Sequence, residues 1–177
     1  MGFTHLYRMR FFRLGCSLLL GLALWTGCSK QTGQPSGDPS EPTHAQPKLK
    51  TMKLYVGTEA LDAELALTEQ QERTGMMFRT NIQDGDSMLF VLPYTQQANF
   101  WMLNCPESIS AAYINPDGTI AEIHHLEKND TNGVSAATAN IRFVLETSDG
   151  WFQRHHVSPG AVILTEHGSL ADTFNAH

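Results

Sequence analysis

The stretch Ile109-Ser-Ala-Ala-Tyr-Ile-Asn-Pro-Asp-Gly-Thr-Ile-Ala-Glu-Ile-His-His-Leu126 decides the fold. Two apolar runs of strand length flank Asn115-Pro116-Asp117-Gly118. Proline presets its own φ, aspartate bonds to nearby backbone, and glycine takes positive φ at little cost, so this tetrapeptide predicts a hairpin turn between two strands. The same alternation of short apolar runs and turn residues extends outward in both directions. Upstream, Met52-Lys53-Leu54-Tyr55-Val56 alternates, and residues 61–67 place Ala63, Leu65 and Leu67 on one face. Met88-Leu89-Phe90-Val91-Leu92 is a continuous apolar run expected to stop at Pro93, and residues 98–103 read as a further strand. Downstream, residues 127–139 are small and polar, which predicts an exposed loop, and residues 141–147 and 161–165 read as the last two strands. Two helical pieces interrupt the pattern. Thr68-Glu69-Gln70-Gln71 has the form of a capping box, opening a helix that ends near Gly75, and Gly150-Trp151-Phe152 fits one helical turn. The expected domain is mainly β with a minor α component: a compact β-sandwich or barrel-like domain with one or two short helices.

The chain around this domain has a different character. The N-terminus carries Arg8, Arg10 and Arg13, then a nearly continuous apolar run from Leu14 to Trp25. That run of about 12 residues is shorter than the roughly 20 a spanning helix needs. A basic region, a short apolar region and small residues before a cleavage point form a signal peptide. Thr26-Gly27-Cys28 resembles the end of a lipobox, with Cys28 as the lipidation site, although Trp25 stands where an aliphatic residue is usual. The other reading is an ordinary secretory signal with Cys28 incidental. Residues 29–50 contain four prolines and little apolar content, the composition of a flexible tether. The expected division is therefore signal peptide 1–28, tether 29–50, β domain 51–167 and C-terminal tail 168–177. The expected location is the periplasmic side of the cell envelope, with the outer membrane favoured by the absence of an acidic residue after Cys28.

Composition narrows the partners. The 177 residues are 41% hydrophobic and 17% charged, enough for one core. The net charge is −6, and the part beyond Cys28 holds 9 basic and 18 acidic residues. Such a domain repels phosphate backbones, so nucleic acid is not an expected partner. Membrane association is expected through the lipid on Cys28. If Cys16 leaves with the signal and Cys28 is acylated, Cys105 has no disulfide partner in the domain and reads as a small buried hydrophobe.

Several blocks in order resemble the DUF192 family, also called UPF0127. They are Glu64-Leu-Ala-Leu-Thr-Glu-Gln-Gln-Glu-Arg73, Gly75-Met-Met-Phe-Arg79, Met88-Leu-Phe-Val91 and Phe100-Trp-Met-Leu-Asn104. The match continues through Tyr113-Ile114-Asn115, Asp117-Gly118 and Val144-Leu145-Glu146 to Gly160, covering roughly residues 51–165. The resemblance implies a small β domain, often exported, in a family of unknown function. This chain departs from the family's pattern at Leu103, Cys105 and Ser110, where lysine, threonine and aspartate are usual. If the family's lysine and aspartate pair, both members are replaced together here, which suits a structural pair better than a catalytic dyad.

Four residues stand out as candidate ligand contacts: Arg79, Trp101, Asn104 and Ser110. Arg79 follows an apolar Met-Met-Phe and is suited to a carboxylate or phosphate, or to a structural pair with Glu64 or Glu72. Phe100-Trp101-Met102 puts large apolar groups on both faces of a strand, so one face is core and the other is either covered or a groove for a sugar or peptide. Asn104 either orients a ligand or closes a turn. His124-His125 and His155-His156 invite a metal, but adjacent strand residues point apart, so no metal site and no cofactor is expected. No phosphate loop, zinc signature or nucleophile elbow is present. The expected function is a non-catalytic binding or accessory module taking a small-molecule, glycan or peptide ligand. The alternative is a hydrolase or transferase acting on envelope material, which requires Arg79, Asn104, Ser110 and one histidine to converge.

Overall fold

The computed structural model describes residues 41–174. Cys28, the signal peptide and the first part of the tether lie outside the described residues. Among the described residues no helix is long and apolar enough to cross a membrane.

The elements are β1 (Thr51–Val56), β2 (Glu59–Ala66), α1 (Glu69–Thr74), β3 (Ser87–Gln96), β4 (Asn99–Phe100), β5 (Ile109–Ile114), β6 (Ile120–Leu126), β7 (Val134–Ser135), β8 (Ile141–Ser148), α2 (Trp151–Arg154), β9 (Ile163–Thr165), β10 (Gly168–Ser169) and α3 (Leu170–Phe174). Eight strands form one sheet in the order β10-β9-β1-β2-β3-β8-β5-β6, and β4 pairs with β7 apart from it. Every pairing is antiparallel except β2 with β3, which α1 connects as a parallel crossover. β8 sits in the middle and is buried along almost its whole length, as a strand covered on both faces must be.

The hairpin at 115–118 does more than reverse the chain. Gly118 N–H donates to the Asn115 carbonyl at 3.0 Å, closing the turn. The Gly118 carbonyl then accepts from Ile163 N–H at 2.9 Å, and Ile120 N–H donates to the Ala161 carbonyl at 2.8 Å. These bonds tie the β6 edge to the segment entering β9, so the two ends of the sheet meet at one rim. The sheet is thus a curled half-barrel, in line with the mainly β, barrel-like expectation. Leu54, Leu61, Leu89, Ala112, Ile120, Phe143 and Ile163 come from strands across the whole sheet yet join one apolar cluster, which marks the concave face. Trp151 and Phe152 of α2 and Leu170 of α3 fill that cluster. A second cluster covers the other face of the central strands, with Met88, Phe90, Ala111, Tyr113 and Val144 under Met76, Met77, Met102 and Cys105 from the loops.

Some sequence expectations moved. β3 runs through Pro93 to Gln96, because its pairing with β8 breaks between Val91 and Gln96 and demands no amide from the proline. The strand expected at 98–103 shrinks to Asn99–Phe100, and Trp101 leaves it. The loop 127–139 contributes the short β7. Residues 168–174, expected to trail away as a tail, instead form β10 and α3, because Leu170 is fully buried in the concave cluster. At the other end, the domain's contacts start before Thr51: Gln46 donates to the Gly75 carbonyl at 2.9 Å, and the Lys50 carbonyl accepts from Leu65 N–H at 2.9 Å.

Gly118 has φ of +88°, and a Cβ there would lie 2.9 Å from the Ile163 carbonyl oxygen. Backbone conformation and the rim bond both exclude a side chain. Gly118→Ala is expected to lower unfolding free energy by about 1–3 kcal/mol, read from the midpoint of a urea titration. Gly57→Ala, at positive φ but with open space at Cβ, serves as the comparison and should lose less.

Candidate functional site

The outer face of the sheet carries an unusual row. Across the strands, Glu64 pairs with Met88, Met88 with Glu146, Glu146 with Ala111, and Ala111 with His124. Alternation along each strand sends these side chains to the same face as Phe90, Tyr113 and Val144. Two carboxylates therefore stand in one row of a largely apolar face, separated by one methionine. Both are buried, each residue being 4% exposed.

Arg79 reaches the row through a constrained turn. Thr68 and Gln71 form the expected capping box at the start of α1, and the helix stops at Gly75, whose φ is +46°. A Cβ at Gly75 would meet the Phe90 ring at 3.2 Å. Met76 and Met77 then plug the outer cluster, and Arg79 N–H closes a turn onto the Met76 carbonyl. Phe78 and Asn104 both adopt left-handed backbone, with φ of 61° and 58°. For a bulky phenylalanine this is an unfavoured conformation, and it is held by a 2.7 Å bond from Phe78 N–H to the Asn104 carbonyl. The result aims the guanidinium back at β2. It binds Glu64 in a bidentate fork, 2.7 Å from Nη1 and 2.9 Å from Nη2, and Leu49 N–H adds a third donor at 2.7 Å.

The two carboxyls diverge in proton affinity. Burial alone would raise Glu64, but the Arg79 fork and the Leu49 amide outweigh it and hold the group below its usual value. Glu146 has no hydrogen-bond donor among the described residues. Burial pushes it up to about 8, against a weaker opposing pull from Arg79. Nearby Cys105 is pushed up to about 12 by burial and by the Glu146 charge, so the thiol is inert at neutral pH. That agrees with a buried structural cysteine.

The four candidate residues do not converge. Arg79 spends its fork on Glu64, as the structural alternative expected, and is not free to grip an outside anion the same way. It borders a cavity of about 240 Å³ with Gln46, Lys48, Glu64, Ile82 and Asp86. Trp101 lies 52% exposed, between two other depressions. One is a groove of about 310 Å³ bounded by Glu72, Arg73, Gln96, Gln97 and Asn99. The other is a small cavity of about 40 Å³ reaching Phe90, Cys105 and Glu146. Asn104 closes the Phe78 turn through its carbonyl. Ser110 faces the concave side instead, because it alternates with Ala111 and Tyr113 along β5. Its Oγ accepts from Gly150 N–H at 2.9 Å at the start of α2. Leu103 packs against the outer cluster, so it and Ser110 serve opposite faces.

Three of the four paired histidines have local side-chain partners. His124 contacts Glu122, His125 contacts Asp149 and Glu127, and His155 bridges Asp84 and Glu59 while stacking on Trp151 at 4.4 Å. Among the described residues no cluster of His, Cys, Asp and Glu has the arrangement of a metal site. The residue that sequence reading missed is Glu146. Its signal was an acid inside the apolar run of a strand that must be covered on both faces.

Two measurements test this electrostatic picture. Arg79→Ala strands a buried carboxylate and should cost roughly 3 kcal/mol, whereas Arg79→Met combined with Glu64→Leu should cost much less. Glu146 keeps its proton in the folded chain while the unfolded chain releases it near 4.5. Its contribution is therefore complete below pH 4.5 and lost as pH rises through 8. Glu146→Gln should flatten the fall in melting temperature between pH 5 and 8.5. Glu64 acts in the opposite sense, its contribution disappearing in acid.

Known proteins add the family and confirm the fold. No curated protein matches the chain. A solved structure from Sinorhizobium meliloti, described as a proposed transcription regulator, superposes with a TM-score of 0.64 at 25% identity, covering 68% of this chain and 98% of that one. A protein of unknown function from Novosphingobium aromaticivorans superposes at 0.63, again at 25% identity, over 73% of this chain and 99% of that one. Residues 52–165, most of the described domain, match the family described as Uncharacterized ACR. The blocks that carried the resemblance lie on β2, α1, β3, the Trp101 loop and β8, and the chain belongs to the DUF192 family.

Proposed function

We propose that this protein is an envelope-anchored accessory module that binds its ligand beside Trp101 and performs no chemistry of its own. The observation that carries the reading is the indole of Trp101. It stands 52% exposed over a groove, where a core role would have buried it. An exposed aromatic flanked by amides can serve as a ligand platform, since the ring supplies contact area and Gln96, the Gln97 side-chain carbonyl oxygen and the Asn99 amide nitrogen supply polar groups. Gln97 Nε2 itself donates to the Ala136 carbonyl at 2.7 Å, and Asn99 Oδ1 accepts from Ser135 Oγ at 3.2 Å. The hydrolase or transferase alternative needs Arg79, Asn104, Ser110 and one histidine in one pocket. His125 does lie across from Ser110 and both reach Asp149, but the sheet stands between them and Arg79. A transcription-regulator role like that proposed for the Sinorhizobium protein is opposed by the net charge of −6.

The location rests on sequence. The basic start, short apolar run and Thr26-Gly27-Cys28 support lipidation at Cys28, and the polar segment after it supports a tether. The membrane is then a partner through the anchor alone. Metabolic labelling of the full chain with radioactive palmitate in its bacterial host should mark the membrane fraction. Cys28→Ser should abolish the label and release the protein. Label retained by Cys28→Ser would refute the anchor. The ligand platform is tested separately by thermal shift against glycans, peptides and small polar molecules. A ligand that stabilises the wild type but not a folded Trp101→Ala variant is the expected result.

A further inference from the structure

The small cavity under Trp101 poses a specific problem. Its floor includes Glu146, a carboxyl-bearing residue only 4% exposed. A buried carboxyl without a donor or acceptor partner is costly. Yet no described residue donates to it, and Arg79 spends its bidentate fork on Glu64. The cavity, about 40 Å³, admits one or two waters or one small polar group, and no ring. It shares Glu72, Arg73, Phe100 and Trp101 with the wider groove, so the two depressions lie side by side along the same residues.

We infer that the groove takes a neutral glycan, with a sugar ring on Trp101 and one of its hydroxyl groups inserted into the cavity to bond with Glu146. This rests on the reading of Trp101 as a ligand platform and adds the ligand's class and its anchor. The chemistry selects among candidates. The groups facing Glu146 or its cavity are Arg79 from the turn after α1, Glu72 and Arg73 from α1, Cys105 from the Trp101 loop and Tyr113 from β5, with Glu64 in the same row on β2. Arg73 could meet an anion at the groove's rim, but inside the cavity an anionic group would lie against Glu146 while the Arg79 fork is held by Glu64. An ammonium needs a charged acceptor, and burial favours the protonated acid. A protonated carboxyl both donates and accepts, and so does a hydroxyl. The rim amides Gln96, Gln97 and Asn99 extend the same neutral pattern, and the exposed indole face suits the apolar face of a sugar ring.

The test uses the full-length protein in detergent and isothermal titration with neutral tetrasaccharides of glucose and of N-acetylglucosamine. Lysine amide is the cationic probe. Variants are Trp101→Ala, Glu146→Leu and the near-isosteric Glu146→Gln, each checked for folding by circular dichroism. A tetrasaccharide is expected to bind. Trp101→Ala and Glu146→Leu should each weaken it by about tenfold or more. Glu146→Gln should stay within about threefold at pH 6, because an amide also donates and accepts. Raising pH from 6 to 9 should weaken the wild type and leave Glu146→Gln unchanged. Binding that depends on Trp101 but ignores both Glu146 variants would overturn the anchor and leave the platform reading standing. Binding indifferent to Trp101 would overturn both. Lysine amide binding that tightens toward pH 9 and disappears in Glu146→Gln, or no saccharide binding at all, would overturn the glycan assignment.

Discussion

A central strand buried on both faces is the constraint from which the rest of this structure follows. β8 lies between β3 and β5 and offers apolar side chains in both directions. A single sheet can cover one of its faces by curling on itself, and here the curl is fixed where Gly118 and Ile163 share a hydrogen bond. The other face cannot be covered that way. It needs a separate lid, and the lid is built from the end of α1, the methionine plug and the loop around Trp101 and Met102. Irregular chain brings unpaired polar groups with it. The Phe78–Asn104 backbone bond and the Arg79–Glu64 fork are how this lid is held to the sheet.

The fork explains why one carboxylate is well provided for and the other is not. A bidentate guanidinium has a planar geometry that suits one carboxylate, not two on strands either side of a methionine. Glu64 takes the fork and a backbone amide. Glu146 is left with burial and a distant cation, and it responds by holding its proton. The same lid that dries the outer face thus creates a polar group with unused bonding capacity beneath an exposed indole. Structural need and ligand capacity meet within one row of the sheet.

Much of this was legible in the sequence, for identifiable reasons. The hairpin at Asn115-Pro116-Asp117-Gly118, the capping box at Thr68 and the limits of β5 are local, and local chemistry specifies them. The lone Cys105 read correctly as a buried thiol. Other features were not legible because they depend on partners distant in the chain. Nothing near Pro93 reveals that β3 slips its register against β8 and so tolerates the ring. Leu170 reads as one apolar residue in a polar tail until the concave cluster receives it. Ser110 and Arg79 could be imagined in one pocket until strand alternation put them on opposite sides of the sheet. Glu146 was visible as a letter inside a family block, but its burial follows from β8 being central, and strand order is not written locally.

The rim bond between Gly118 and Ile163 has a temporal side as well. Its two partners lie far apart in the chain, and the second belongs, with β9, β10 and α3, to the last part of the domain to be made. The concave core therefore stays open until the segment carrying β9, β10 and α3 is in place. Contacts of such long range form late and set the pace of folding. The domain completes its fold only when this last segment joins the rim.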